Sequence, residues 1–146
     1  MSKVNILVSA CLLGRKCRYD GCHSFSAPVN ALKQKYNLVP VCPEVMAGMN
    51  TPRTPSEKKG DCVIDKFGND VTEIFVKGAK KCLDIAQKKN CKAAILKSKS
   101  PSCGVGEIYD GTFSNITTNG NGILTDLLLR NGIKVYSQND IKKVSF

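Results

Sequence analysis

The chain has little that would let it be classified quickly. No uninterrupted apolar run is long enough to span a bilayer as a helix. The N-terminal apolar stretch is also too short for a signal peptide, so a cytoplasmic protein with no membrane partner is expected. No Cys-x-x-Cys pair occurs, which argues against a zinc ribbon and a thioredoxin-like site. There is no phosphate-binding P-loop, and Gly104-Val105-Gly106 is too short for a dinucleotide fingerprint. The one histidine, His23, is the only available base for a cysteine–histidine nucleophile. Its neighbour in sequence, Cys22, is poorly placed to face it. Arginine is scarce: Arg15, Arg18, Arg53 and Arg130 are the only ones among 22 basic residues.

What the chain does have is cysteine and lysine. It carries eight cysteines in 146 residues, and a formal charge of +10. Without an export signal, thiols, metal ligands or catalytic cysteines are better readings than disulfides. Cys22, Cys42, Cys62 and Cys82 are evenly spaced, but their flanks share nothing, so no repeat is inferred. The basic charge suits anionic ligands, nucleotides or RNA, and equally a generic lysine-rich surface.

Length and a hydrophobic content of 42% suit one domain over residues 1–146 with its own core. Short apolar runs at 5–10, 38–41, 93–97 and 133–136 read as buried strands. Helices are expected at 28–36, with Ser26 or Ala27 at its start, at 72–89 with Thr72 as cap, and at 123–130. Asn90 and Asn131-Gly132 are their stops. The prolines of 43–57 suggest a long loop, and 62–65 with 69–71 a small hairpin about Lys66-Phe67-Gly68. Residues 108–113 read as a turn between short extended pieces, and 119–122 as a flexible turn. The alternation of strands and helices predicts a three-layer α/β architecture, a mainly parallel sheet with helices on both faces.

Three cysteines stand where such runs stop. Cys11 ends Ile6-Leu7-Val8-Ser9-Ala10, Cys42 ends Leu38-Val39-Pro40-Val41, and Cys103 lies in Lys97-Ser98-Lys99-Ser100-Pro101-Ser102-Cys103-Gly104 after Ala93-Ala94-Ile95-Leu96. Open α/β sheets bind ligands beyond the carboxyl ends of their strands. Three strand ends therefore bring three thiols to one place, as buried apolar groups or as metal ligands. Three ligands leave a fourth position open for substrate, and soft sulfur suits zinc and iron alike. Glu44, two residues after Cys42, is a candidate general acid or base, or a solvated loop residue. Ser98, Ser100 and Ser102 alternate, so in an extended loop their hydroxyls share a side. Cys17 and Cys22 read as free thiols, further ligands or a redox pair, and Cys82 as core on the apolar face of the long helix.

Taken in order, Ser9-Ala10-Cys11-Leu12-Leu13-Gly14, Cys17-Arg18-Tyr19-Asp20-Gly21, Val41-Cys42-Pro43-Glu44, Thr51-Pro52-Arg53, residues 97–104 and Ile108-Tyr109-Asp110-Gly111-Thr112-Phe113 resemble the thiouracil desulfidase family. The likeness runs from about residue 6 to 136. It implies a Rossmann-like fold and a [4Fe–4S] cluster held by Cys11, Cys42 and Cys103, with one iron open to the substrate's sulfur. The implied reaction removes sulfur from thiolated uracil compounds and leaves a carbonyl and hydrogen sulfide. It also implies Glu44 and a serine, best matched by Ser100, as proton-transfer groups, with Ser98, Ser102 and Lys97 near the substrate. No flavin or nicotinamide is required. The chain has no long C-terminal extension of the kind that relatives acting on thiolated tRNA carry. That favours 2- or 4-thiouracil or 4-thiouridine monophosphate over RNA, with Lys97, Lys99 or Arg53 on a phosphate, in a monomer or dimer. The competing expectations are a cluster- or zinc-binding, RNA-interacting sensor without turnover, and a cluster-free sulfur carrier using Cys17 and Cys22.

Overall fold

The computed structural model describes residues 3–144; Met1, Ser2, Ser145 and Phe146, the ends of the expected domain, lie outside them. Four strands form the central sheet: β1 (Asn5–Ser9), β2 (Asn37–Val41), β5 (Ala93–Leu96) and β8 (Lys134–Ser137). All three pairings are parallel, in the order β2-β1-β5-β8. The central strands β1 and β5, buried on both faces, read as near-continuous apolar runs, while the edge strands β2 and β8 are only partly buried.

Period-two alternation sorts the sheet's side chains into two layers. Leu7, Val39, Val41, Ala94 and Leu96 point to one face. There they meet α3 (Thr72–Lys88) and α4 (Ile123–Arg130) through Ala79, Cys82, Ala86, Leu124 and Leu128. Ile6, Val8 and Ile95 point to the other, against Val29 of α1 (Ala27–Ala31) and Tyr36. Burying each such aliphatic side chain contributes about 1.5–3 kcal/mol. This is the three-layer α/β arrangement with helices on both faces.

Several elements differ from the sequence expectations, for local reasons. Thr72 is the first residue of α3, not its cap; the cap is Val71. Asp70 does the capping work instead, accepting from the Thr72 amide (2.9 Å) and hydroxyl (2.6 Å). The strand β4 (Cys62–Asp65) meets the expected 69–71 piece in an antiparallel bridge, Ile64 to Asp70, and on its other edge pairs with β3 (Ser56–Lys59), around Gly60. Part of the expected long loop is therefore strand. Another part is α2 (Pro43–Met46), which starts with proline at its first turn. The helix expected at 28–36 is shorter, passing into a 3-10 turn over Leu32–Gln34, with Ser26 as its cap. Cys11 lies within a 3-10 turn, Ala10–Leu13, two residues beyond the end of β1. Asn119 ends β7 (Thr117–Asn119), which pairs with β6 (Glu107–Tyr109), and a final 3-10 segment covers Gln138–Lys143.

One feature of the sheet positions everything else. β1 lies between β2 and β5, so the strand order reverses there. The crevice at such a switch point, beyond the carboxyl ends, is where open α/β sheets bind ligands.

Candidate active site

A cavity of about 200 Å³ occupies that crevice. Cys11, Cys42 and Cys103 line it from three different segments. A fourth thiol, Cys17, lines it as well. Cys22 and Cys62 are exposed and lie elsewhere, and Cys82 is buried in the core as expected.

The loop carrying Cys103 is held by helix α4. That helix has no side-chain cap, and its first amides need acceptors. The loop supplies them. Ile123 N donates to Pro101 O (2.9 Å), Leu124 N to Ser102 O (2.9 Å) and Gly122 N to Gly104 O (2.9 Å). The buried Thr125 hydroxyl donates to Cys103 O at 3.0 Å. At the loop's start, Lys97 N leaves the sheet ladder and donates to Ser9 Oγ (2.9 Å).

The serines do not all share a side. Lys99 has φ +67, a left-handed conformation that breaks the extended alternation. Ser98 turns to Gln138, whose side chain bonds both its amide and its hydroxyl (2.9 Å each). Ser100 and Ser102 turn to one another, Oγ to Oγ at 2.9 Å.

Glu44 comes to them from the first turn of α2. This helix sits against α3 at Gly78, where any Cβ would overlap the Pro43 carbonyl. Ser102 Oγ donates to Glu44 Oε2 at 2.9 Å. A hydroxyl has one proton. Since Ser102 gives its own to Glu44, the Ser100 hydroxyl is the donor to Ser102. The Ser100 oxygen in turn accepts from the amides of Ser102 and Cys103 (3.1 Å each). The result is a directed chain, Ser100 to Ser102 to Glu44. Glu44's other oxygen accepts from Arg53 Nε at 3.0 Å, in a pair whose side chains are only 16% and 6% exposed.

The thiols are in a demanding environment. Burial pushes the Cys103 thiol up to about 12, with hydroxyls of Ser9 and Ser102 opposing. A thiol hydrogen bond with Cys17, then burial, holds Cys42 well above the usual range. Cys17 is raised chiefly by its bond with Cys11. Burial, then Arg18, lowers the affinity of Lys97 for its proton. A neutral thiol is the cheap state in such a place; a thiolate there needs a cation.

Lys97 Nζ reaches the Ser98 carbonyl and hydroxyl (3.2 and 3.4 Å) at the wall of the cavity. Every candidate residue thus lines one cavity: Cys11, Cys42, Cys103, Glu44, Ser98, Ser100, Ser102 and Lys97. The walls add residues the sequence did not single out, among them Tyr19, Tyr109 and Glu57. Tyr19 and Tyr109 are carried by matching Tyr-Asp-Gly turns. In each the aspartate accepts the amide two residues on (3.0 and 2.9 Å) and the glycine has positive φ. The repeated tripeptide was the available signal.

The donor set fits a cluster of thiophilic irons. It is all sulfur, buried at Cys11 and Cys103 and half-buried at Cys42, and delivered by three separate backbone segments to one cavity. Among the described residues no three His, Cys, Asp or Glu side chains close about a single point as one chelated ion requires.

A parallel α/β sheet with thiols and a carboxylate–serine chain at its switch point has the layout of an α/β enzyme with a sulfur-lined pocket. The model of the 2-thiouracil desulfurase family matches residues 6–140, and the chain belongs to that family. It is 40% identical to the uncharacterized protein YbbK of Bacillus subtilis (strain 168), over 95% of this chain and 99% of that one. Among solved structures it is similar to the [4Fe-4S]-dependent thiouracil desulfidase TudS, at 41% identity and a TM-score of 0.91. That match covers 97% of this chain and 95% of the other.

Proposed function

We propose that residues 1–146 form one cytoplasmic desulfidase domain that hydrolyses thiolated uracil compounds, 2- or 4-thiouracil or 4-thiouridine monophosphate. The carbonyl product and hydrogen sulfide account for every atom of substrate and water. Desulfidase activity follows the family and its [4Fe-4S]-dependent relative. The observation that carries the residue assignment is the Ser100–Ser102–Glu44 chain beside a cavity walled by thiols.

Cys11, Cys42 and Cys103 would hold the cluster. When bound, it supplies one iron without a protein ligand, a soft Lewis acid suited to a thiocarbonyl sulfur. The chain's own groups manage the protons. Glu44 takes a proton from the attacking water as general base. The return runs in step: Ser100 gives its own proton to the departing sulfur, the electron pair this frees takes the Ser102 proton, and Ser102 takes the one held by Glu44. The Ser102 and Cys103 amides occupy the Ser100 lone pairs, so its O–H is the group left to donate toward the departing sulfur. The near-complete burial of Ser102 keeps this transfer away from bulk water. Lys97, Ser98 and the tyrosines wall the substrate space.

The test is Glu44→Gln. It keeps size and the Arg53-facing oxygen but is no base. The reconstituted variant is expected to hold as much iron and sulfide as the wild type and to lose about 10²–10⁴-fold in turnover. Undiminished sulfide release by Glu44→Gln sinks the assignment.

A further inference from the structure

Among the sequence expectations, Arg53 was a candidate phosphate ligand. Its surroundings give it different work. A guanidinium has five N–H donors in one rigid plane. Four contacts of Arg53 go to protein acceptors. Nε donates to Glu44 Oε1 (3.0 Å), and Nη1 to Asn50 O (3.1 Å) and Thr51 Oγ1 (3.0 Å). Nη2 donates to Cys17 O at 2.8 Å. Its backbone amide is also committed, to Tyr19 O at 2.7 Å. With a side chain 6% exposed, it is a buried fixture and not a surface cation waiting for an anion.

We propose that Arg53 is the positioning residue of the site, fixing the Glu44 carboxylate in the orientation that meets Ser102. This rests on the desulfidase reading for its catalytic consequence, but not for its geometry. Three acceptors other than Glu44 pin the Nη atoms. Because the group is planar, pinning them sets the direction of the Nε–H bond. That direction places Glu44 Oε1, and the carboxylate plane then turns Oε2 to Ser102. Lysine, a single point charge on a flexible stem, cannot transmit orientation in this way.

The Cys17 carbonyl makes the arrangement robust to the state of the thiols. It accepts from Arg53 and also from the Cys42 thiol at 3.7 Å. Cys42 loses that proton on becoming a thiolate ligand. Arg53 then remains as the donor that keeps the residue 17 backbone in place. The residue ties Glu44, the Cys17 loop and its own loop into one unit.

The experiment uses Arg53→Ala and Arg53→Lys with two readouts. The first is the crystal structure of each variant without cluster. The Glu44 carboxylate is expected to leave Ser102, their separation rising beyond about 3.5 Å, the outer limit of a hydrogen bond. The second is steady-state turnover at matched iron content. A roughly 10²-fold fall in kcat with little change in KM is expected, since the base is misplaced and the substrate walls are not. Free guanidinium, but not sodium chloride at equal ionic strength, should restore part of the Arg53→Ala rate. If Arg53→Ala does not fold, Arg53→Lys carries both readouts. Glu44 still on Ser102 in the variant structure, or unchanged kcat, overturns the proposal. Loss only of melting temperature, with kcat intact, also overturns it. A wild-type enzyme that releases no sulfide strikes the desulfidase reading, and the crystallographic readout still decides the role of Arg53.

Discussion

Gly122 offers the sharpest structural test, because two lines of reasoning about it disagree. It is the N-cap of α4, with φ −66 and ψ 165, values open to any residue. Capping preference alone says that serine there should stabilise the helix relative to glycine by a few tenths of a kcal/mol. Packing says the opposite. A Cβ at Gly122 would lie 2.4 Å from the Ser102 carbonyl carbon, 2.5 Å from its oxygen and 2.7 Å from the Cys103 amide nitrogen. Ordinary contact begins at 3.4 Å, so the two backbones must part by about 1 Å. Overpacking of this kind costs about 1–3 kcal/mol. For a chain of this length that lowers the melting temperature by roughly 3–12 °C. A shift of that size exceeds the roughly 0.6 Å of slack between the 2.9 Å Ser102–Glu44 contact and the outer limit of a hydrogen bond, about 3.5 Å. The expected result for both Gly122→Ala and Gly122→Ser is a lower melting temperature and a turnover loss of about 10²-fold. Thermal unfolding by circular dichroism and a sulfide-release assay measure the two. A Gly122→Ser protein as stable and active as wild type would refute the claim that α4 sets the position of the Cys103 loop.

The remaining expectations follow from single contacts. Thr125→Val keeps the volume but removes the donor to the buried Cys103 carbonyl, which should cost about 1–3 kcal/mol in a denaturant titration; Thr125→Ser keeps the hydroxyl and should lose less. Ser102→Ala cuts the only hydroxyl between Ser100 and Glu44, so it should lower kcat at least as much as Ser100→Ala, and the double variant should be no worse than either single one. In the cluster-free protein, iodoacetamide at pH 8 should modify exposed Cys22 and Cys62 first and Cys103 last, because burial holds its thiol near 12 and the thiolate is the reactive form; peptide mass spectrometry reads the order. Serine in place of Cys11, Cys42 or Cys103 should abolish iron retention after reconstitution, and Cys22→Ser should not.

Much of the sheet was legible because its central strands, β1 and β5, are buried on both faces and so carry little but apolar residues. The same runs marked where the sheet ends, and with it the neighbourhood of Cys11, Cys42 and Cys103. Elements set by tertiary contacts were not legible. β6 and β7 are three residues each and mostly polar, without a usable period. β3 is the polar run Ser-Glu-Lys-Lys, which reads as a solvated stretch until β4 pairs with it. Within the site, alternation in sequence put Ser98, Ser100 and Ser102 on one side. The left-handed turn at Lys99 sends Ser98 to Gln138, a residue 40 positions away. Cys17 was read together with Cys22, and the sequence did not separate them; no apolar run precedes either, and only the folded loop brings Cys17 to Cys42 and leaves Cys22 exposed. Arg53 was visible as a rare arginine in a proline-rich loop, but the two acceptors that tie it to the site, Glu44 and Cys17, lie 9 and 36 positions away and no spacing relates them to it.

The most direct measurement is product stoichiometry. The protein is reconstituted anaerobically to about four irons per chain, the content of one [4Fe–4S] cluster, and given 2-thiouracil or 4-thiouracil. Uracil and hydrogen sulfide released in equal amounts, over many turnovers and without an added reductant, is the expected result. A fully loaded protein that leaves both thiouracils and 4-thiouridine monophosphate unchanged would contradict the account.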